Sequence, residues 1–422
     1  MSQRSRYASL TNQFRPGLSG DDQSLAMRTT LRLDVRLPRL SIVGELQDAR
    51  AYLMDTQSNV STTIVNALDV LQAHVRFGGG AAGPAVVPEV QIGRFSMEFG
   101  SGRLVAQEVY RDVTRAFTGA SLHWRRAGAG TLTAFGVLPV LTLPDARPAL
   151  LANKIQRDRE HRNQTFWGAV YERPRLRRGA RGEAYVYVLD EHDVPGQRET
   201  RDRRLWTGGG RWFRTPTPGT VDLDLEAAWQ TGRAHASSGP ADVRVLDVSA
   251  RYLHASTGYT WARSWSPRLA LEYDYGSGDA SPADGTWNRF DTLFGNRRVD
   301  LGPTSIYGAL GRENIDTVGV RVSVAPTARL DSFVVYRWVG LAAAADTFTA
   351  SGVRDPSGLA GRDGARQLDL RIRAWLVPRM LRIETGATHL AAGPFLRAAP
   401  NATRLGDTNF FYADVTYTVG AR

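Results

Sequence analysis

The chain has 422 residues, no cysteine, a formal net charge of +11 and a sequence pI of about 10.2. Without cysteine there is neither a disulfide framework nor a thiolate metal site, and no run approaches the roughly 18 apolar residues of a membrane-spanning helix. The positive balance points to a polyanionic partner; Lys154 is the only lysine, so the charge is almost all arginine, whose planar fork suits carboxylates.

Few stretches carry a helical period. What recurs is an alternating run of about ten residues, one face apolar and the other charged. The first run is 5–14, and a polar loop leads to 27–37. There Leu31, Leu33, Val35 and Leu37 share one face, and Arg28, Arg32, Asp34 and Arg36 share the other. A Pro38-Arg39 turn leads into 40–50; a longer loop precedes 68–77, where Leu71, Ala73, Val75 and Phe77 oppose Gln72, His74 and Arg76. After a Gly78-Gly79-Gly80 turn come 88–95, 117–125 and, past Gly128-Ala129-Gly130, 131–138. Runs at 165–172 and 183–189 flank a basic turn from Arg173 to Arg181. Then follow 205–213, 221–231 and 246–261. In the next run, 268–275, Leu269, Leu271, Tyr273 and Tyr275 oppose Arg268, Ala270, Glu272 and Asp274. The last five runs are 318–325, 332–339, 367–377, 381–390 and 409–419.

Eighteen runs with every second connection short predict an all-β fold. The fold expected is a single closed antiparallel transmembrane β-barrel of about 18 strands, with short periplasmic turns and long extracellular loops. The whole chain forms one domain, residues 277–316 form a long extracellular loop, and both termini are periplasmic. No repeat of solenoid or propeller length and no linker argues otherwise. Tyr273, Tyr275, Trp261, Trp265, Trp338, Phe411 and Tyr417 fall near strand ends, as an interfacial girdle requires. The N-terminus, Met1-Ser2-Gln3-Arg4-Ser5-Arg6, has no apolar signal core. We read the chain as a mature outer-membrane form with an added start.

In such a barrel the polar faces line the lumen. They carry Arg28, Arg32, Arg36, Arg76, Arg125, Arg251, Arg268, Arg321, Arg337, Arg371, Arg373 and Arg382, and with them Asp34, Glu45, Asp222, Asp224, Glu226, Glu272, Asp274, Asp369 and Glu384. More than half of the arginines are expected to pair with neighbouring acids and stiffen the wall, leaving a smaller set at a constriction to select an anionic solute.

Four stretches carry a family likeness: Gly44-Glu45-Leu46-Gln47-Asp48-Ala49-Arg50; Gly93-Arg94-Phe95 with Gly102-Arg103-Leu104; Arg111-Asp112-Val113 with Arg115-Ala116-Phe117; and Ser277-Gly278-Asp279 with Phe290-Asp291-Thr292-Leu293-Phe294. Together they resemble the alginate-export outer-membrane porin family. The resemblance implies a monomeric barrel passing an anionic polysaccharide through an arginine-lined conduit. To the lumen residues Arg32, Glu45, Arg125, Arg251, Asp274, Arg321, Arg337 and Arg371 it adds Asp48, Arg50, Arg94, Arg103 and Arg111. The family's long late periplasmic turn corresponds here only to Val377-Pro378-Arg379.

Catalytic patterns are sparse. The seven histidines form no metal-site pair of His-x-x-x-His type, and there is no nucleophile elbow or phosphate loop. His254 with Ser256 would have to meet lipid at the rim to serve a lipid-modifying enzyme, and Asp279, Asp284 and Asp291 miss the EF-hand spacing. The reading is a non-enzymatic channel with no cofactor and no metal. Its partners are an anionic polysaccharide or small anion, outer-membrane lipid and lipopolysaccharide, and periplasmic export partners, with no nucleic acid. A general anion porin for small acids and a soluble basic all-β binding protein are its rivals.

Overall fold

The structure, a computed structural model, describes all residues except 79–86, 109, 127, 177–178, 195–197, 240 and 421–422. Parts of the expected glycine turn at 78–80 and of the basic turn at 173–181 therefore lie outside the described residues. In chain order the elements are β1 (Ser2–Thr11), β2 (Asp22–Leu37), β3 (Leu40–Tyr52), β4 (Asn66–Gly78), β5 (Val87–Phe95), β6 (Phe117–Arg126), β7 (Gly130–Leu141), α1 (Arg147–Leu151), β8 (Arg159–Glu160), β9 (Gln164–Arg173) and β10 (Arg181–Glu191). They continue with β11 (Arg204–Arg214), β12 (Val221–His235), β13 (Val245–Thr260), β14 (Arg268–Gly276), β15 (Thr286–Trp287), α2 (Arg298–Leu301), β16 (Ile315–Thr327), β17 (Leu330–Gly340), β18 (Asp363–Val377), β19 (Leu381–Ala392), α3 (Pro394–Ala398) and β20 (Thr408–Thr418).

Apart from the two-residue β8 and β15, the strands form an 18-strand wall in which each pairs antiparallel with the next. β1 pairs with β2 on one side and with β20 on the other, from Ser2 opposite Thr418 to Thr11 opposite Asn409. The sheet thus closes on itself and leaves no open wall edge. At the rim that carries the termini the connections include 38–39, 328–329 and 378–380; at the opposite rim they include 96–116 and 277–314.

The wall is inside out relative to a soluble protein. Leu271 is 55% exposed, whereas Asp274, three residues on, is fully buried. An odd separation puts two strand residues on opposite faces, so the apolar face of β14 points outward and its charged face inward. Leu31, Leu33, Leu269 and Val322 continue the outward apolar band, and Trp261, Trp265, Trp338, Phe411 and Tyr417 are exposed on the same surface. A soluble all-β protein would reverse these faces, so that rival is excluded.

Parts of the segments 96–116 and 277–314 fold inward from the rim opposite the termini. Val105 bridges Phe294, tying the two segments together. Phe294 then meets the ring of Phe166 at 4.7 Å and that of Phe117 at 5.1 Å. A second apolar cluster joins Tyr307 to Phe14 and Phe410. The barrel interior therefore holds packed side chains as well as charge.

Candidate functional site

The inward segments are anchored by ion pairs to the wall. Arg103 divides its fork among Asp300 at 2.8 Å, Glu226 at 2.8 Å and Asp224 at 3.0 Å. Asp300 also takes Arg312 at 2.5 Å, and its carbonyl accepts from Arg337. Arg337 and Arg321 both grip Glu272. Asp274 lies 2.8 Å from His254 Nδ1 and accepts from the Tyr252 hydroxyl at 3.3 Å. On the other side, Arg4 meets Asp112 at 2.7 Å and Arg6 meets Asp414 at 2.9 Å, while both guanidiniums donate to carbonyls of the 96–116 segment. Arg298 reaches Asp369 at 3.4 Å and Glu384 at 3.6 Å. Charges removed from water survive only when paired in this way.

Of the expected conduit residues, Arg32, Glu45, Arg125, Asp274, Arg321, Arg337 and Arg371 lie on inward faces. Most are neutralised: Arg32 by Glu45 at 3.3 Å, Arg371 by Asp331, and Arg337 by Glu272. Arg103 and Arg111 sit in the inward 96–116 segment. Three residues face outward instead. Asp48 and Arg50 are three and five residues from the inward Glu45, so strand alternation turns both to the outer face, where they pair at 3.0 Å. Arg251 shares the outer face of β13 with Val245 and Leu253 and lies opposite the exposed Trp229. Arg94, in β5, joins Asp69 at 3.5 Å and Glu160 at 3.1 Å, stitching the 142–163 connection to the wall.

The alternation argument has no purchase on loop arginines, and the expected conduit left out Arg15, Arg115 and Arg297. Arg115 lies 5.2 Å over the ring of Phe294 with its Nη1 unpartnered, and Arg111 meets Glu108 at 2.5 Å. Both line a cavity of about 230 Å³ together with Glu108, His161, Gln164 and Arg198. Burial pulls the Arg111 guanidinium down to about 10 despite Glu108, and Arg115 and Arg297 push the same way. Burial likewise pulls Arg15 down to about 10, again with Arg297 adding to it; Arg15 donates to the Gly308 carbonyl at 2.7 Å. Arg111 pairs with Glu108 and Arg297 with Glu313 at 3.5 Å, whereas Arg15, on Gln13 and the Gly308 carbonyl, and Arg115, over Phe294, make no ion pair among the described residues. The signal that could have found them is the density of arginine in the two longest connections.

His254 is buried between Asp274 and, at 3.9 Å, Asp224, inside the wall rather than at a lipid-facing rim. This removes the geometry that a lipid-modifying Ser/His pair needs. Asp291 is held by Arg203, Asp284 caps the Thr286 amide at 2.7 Å and Asp279 caps that of Ser281, so the three do not converge. Among the described residues His254, Asp274 and Asp300 could meet around a metal ion, but Arg103 and Arg312 already supply the positive charge at Asp300.

Solved structures from Pseudomonas aeruginosa share the fold. OccK5 (OpdH) superposes with a TM-score of 0.58 at 12% identity, covering 100% of this chain and 98% of that one. OccK2 (OpdF), solved in complex with glucuronate, gives 0.55 at 13% identity over 99% and 96%. OpdK with vanillate gives 0.57 at 12% identity over 99% and 97%. No curated protein matches the sequence. The family model described as alginate export matches residues 1–407. A match over nearly the whole length, on a closed barrel whose charges point inward, means that this chain belongs to the alginate export family.

Proposed function

We propose that this outer-membrane barrel channel passes an anionic polysaccharide of alginate type by diffusion, through the arginines that its inward segments hold in the lumen. The observation that carries the reading is the group Arg15, Arg297, Arg111 and Arg115, of which Arg111 and Arg297 are matched by Glu108 and Glu313 while Arg15 and Arg115 have no ion pair among the described residues. Wall arginines locked on acids set the shape of the lumen, and this surplus attracts carboxylates. Weak, repeated contacts let a chain step from one guanidinium to the next. The rim with the short connections and both termini faces the periplasm, where export partners dock, and the rim with the long connections faces outward. The barrel acts as a monomer.

Planar-bilayer recording of the purified chain tests the reading. Anion-selective current, reduced by acidic oligosaccharide, is expected, and Arg111→Glu with Arg115→Glu should turn the selectivity toward cations. A cation-selective wild type, or current indifferent to the oligosaccharide, would overturn it. The second reading, a porin for small acids, is favoured by a cavity of about 230 Å³ lined by Arg111, Arg115 and Arg198, whose guanidiniums would seat a small carboxylate. Block by monomeric glucuronate as strong as block by the oligomer would select that reading.

A further inference from the structure

The outer surface treats its arginines differently at the two rims. Toward the rim opposite the termini they are set against acids. Arg204 lies opposite Asp190 in register and Arg233 opposite Asp247, while Arg50 meets Asp48 at 3.0 Å and Arg362 meets Asp316 at 3.1 Å.

At the rim that carries the termini no such acids are at hand. Its eight connections, 38–39, 79–86, 127–129, 174–180, 215–220, 261–267, 328–329 and 378–380, contain no Asp or Glu. Arg39, Arg175, Arg263, Arg329 and Arg379 are exposed in five of them. Arg126, Arg173 and Arg214 end the strands that lead into three, on the outward face they share with Trp124, Tyr171 and Trp212. The nearest acids point into the barrel. Asp34 holds Arg36, Asp222 holds Arg268 and Asp331 holds both Arg371 and Arg373; Glu89 and Glu172 also face inward. Eight guanidiniums, spread over seven of the eight connections, thus ring this rim without an ion pair among the described residues.

The apolar band of the wall runs almost to the same turns. Leu37 stands two residues before Arg39, Val377 and Met380 bracket Arg379, and Trp261 and Trp265 flank Arg263, all of them exposed. Two residues of strand span about 7 Å, and the headgroup layer on each side of a bilayer is about 5–7 Å deep. The turn arginines therefore lie level with lipid headgroups, just beyond the hydrocarbon that the apolar side chains meet. A ring outside the wall and around its whole circumference matches the lipid annulus, whereas a docked macromolecule would call for a patch on one side.

We propose that this rim binds anionic phospholipid, of phosphatidylglycerol type, the turn arginines taking the phosphodiesters of the surrounding leaflet. A zwitterionic lipid carries its own ammonium beside the phosphate and gains less from a guanidinium that has no acid. Only the choice of leaflet rests on the orientation proposed above; the ring does not depend on what crosses the lumen.

Native mass spectrometry of the full chain tests it, after reconstitution in vesicles of equal phosphatidylglycerol and phosphatidylethanolamine and re-extraction in mild detergent. The retained lipid should favour phosphatidylglycerol about threefold or more. Reconstitution at about 1 M salt, where the screening length falls to about 3 Å, should bring the two lipids close to parity, an arm that needs no variant to fold. Arg39→Gln, Arg263→Gln, Arg329→Gln and Arg379→Gln together should reduce the excess by about half, since four of the eight guanidiniums remain. Equal retention of the two lipids, an excess indifferent to salt, or an excess undiminished in the variant would each overturn the proposal. Loss of block by acidic oligosaccharide in the variant, with its lipid excess unchanged, would assign the ring to the mouth of the lumen and overturn it too. Absent anion selectivity in the unaltered chain, with the lipid excess present, would instead strike only at the transport reading.

Discussion

Arg103 shows what a single side chain does here. It is 5% exposed and meets three carboxylates from two elements, Asp300 on an inward segment and Asp224 and Glu226 on β12. Truncating it to alanine strands buried negative charge, which costs about 3–5 kcal/mol when one partner of a buried pair is removed. Urea unfolding in lipid vesicles should show that loss for Arg103→Ala, and adding Asp224→Asn and Glu226→Gln should recover part of it; a cycle without coupling would remove Arg103 from the anchor. Asp158 supplies a pH dependence. Its carboxylate accepts from the Leu143 amide at 2.8 Å and Asn66 at 2.9 Å, and burial, with Asp69 adding, pushes it up to about 7. A folded-state value above the free one means that the proton stabilises the folded clasp. That stabilisation is full below about 4, the free carboxylate value, and is lost as pH rises through about 7. Amide exchange in 143–158, corrected for intrinsic rate, should be slower at pH 5 than at pH 8, and Asp158→Asn should flatten the difference. At this scale charge was taken as a sign of facing inward at Arg251, where strand parity says otherwise, and parity likewise turns outward Asp48 and Arg50, which the family likeness alone had suggested. For the same reason Arg251 and Arg337 are poor levers on selectivity: one faces outward, and the other is locked on Glu272.

At the scale of elements, strands and connections divide the labour. Each strand's alternation fixes one apolar and one charged face, so strand positions were legible within a few residues: 381–390 was expected and Leu381–Ala392 is found, 221–231 was expected and Val221–His235 is found. The connection 96–116 carries Arg103, Arg111 and Arg115 and packs Leu104 and Val105 among the inward aromatics. Replacing it by a tight turn removes the surplus charge and much of the obstruction together. Bilayer recordings should then show a conductance several times larger and a weakened anion preference. An unchanged conductance would mean that this segment does not narrow the path. The path of such a segment was not legible, since no periodicity marks a chain that pairs with no neighbour, and its hydrophobic residues could equally have met lipid or solvent.

Across the whole molecule, closure lets the charged faces coexist. With β1 bonded to β20 there is no edge for another chain to extend, and every inward polar group is enclosed by a wall that presents Leu, Val and aromatic side chains to the membrane. The wall divides the arginine-rich composition between an inner face, where most guanidiniums sit on carboxylates, and an outer face among apolar side chains. The sequence by itself determined the number of strands, the outward face of nearly all of them and the family, because a period of two and a short motif are both local properties of the chain. Only the tertiary structure decided which arginines are cancelled. Pairing joins residues as distant as Arg103 and Asp300, or Arg4 and Asp112, and the surplus left over depends on how the long segments fold into the tube. That folding is set by contacts among residues far apart in the chain, which no window of sequence contains.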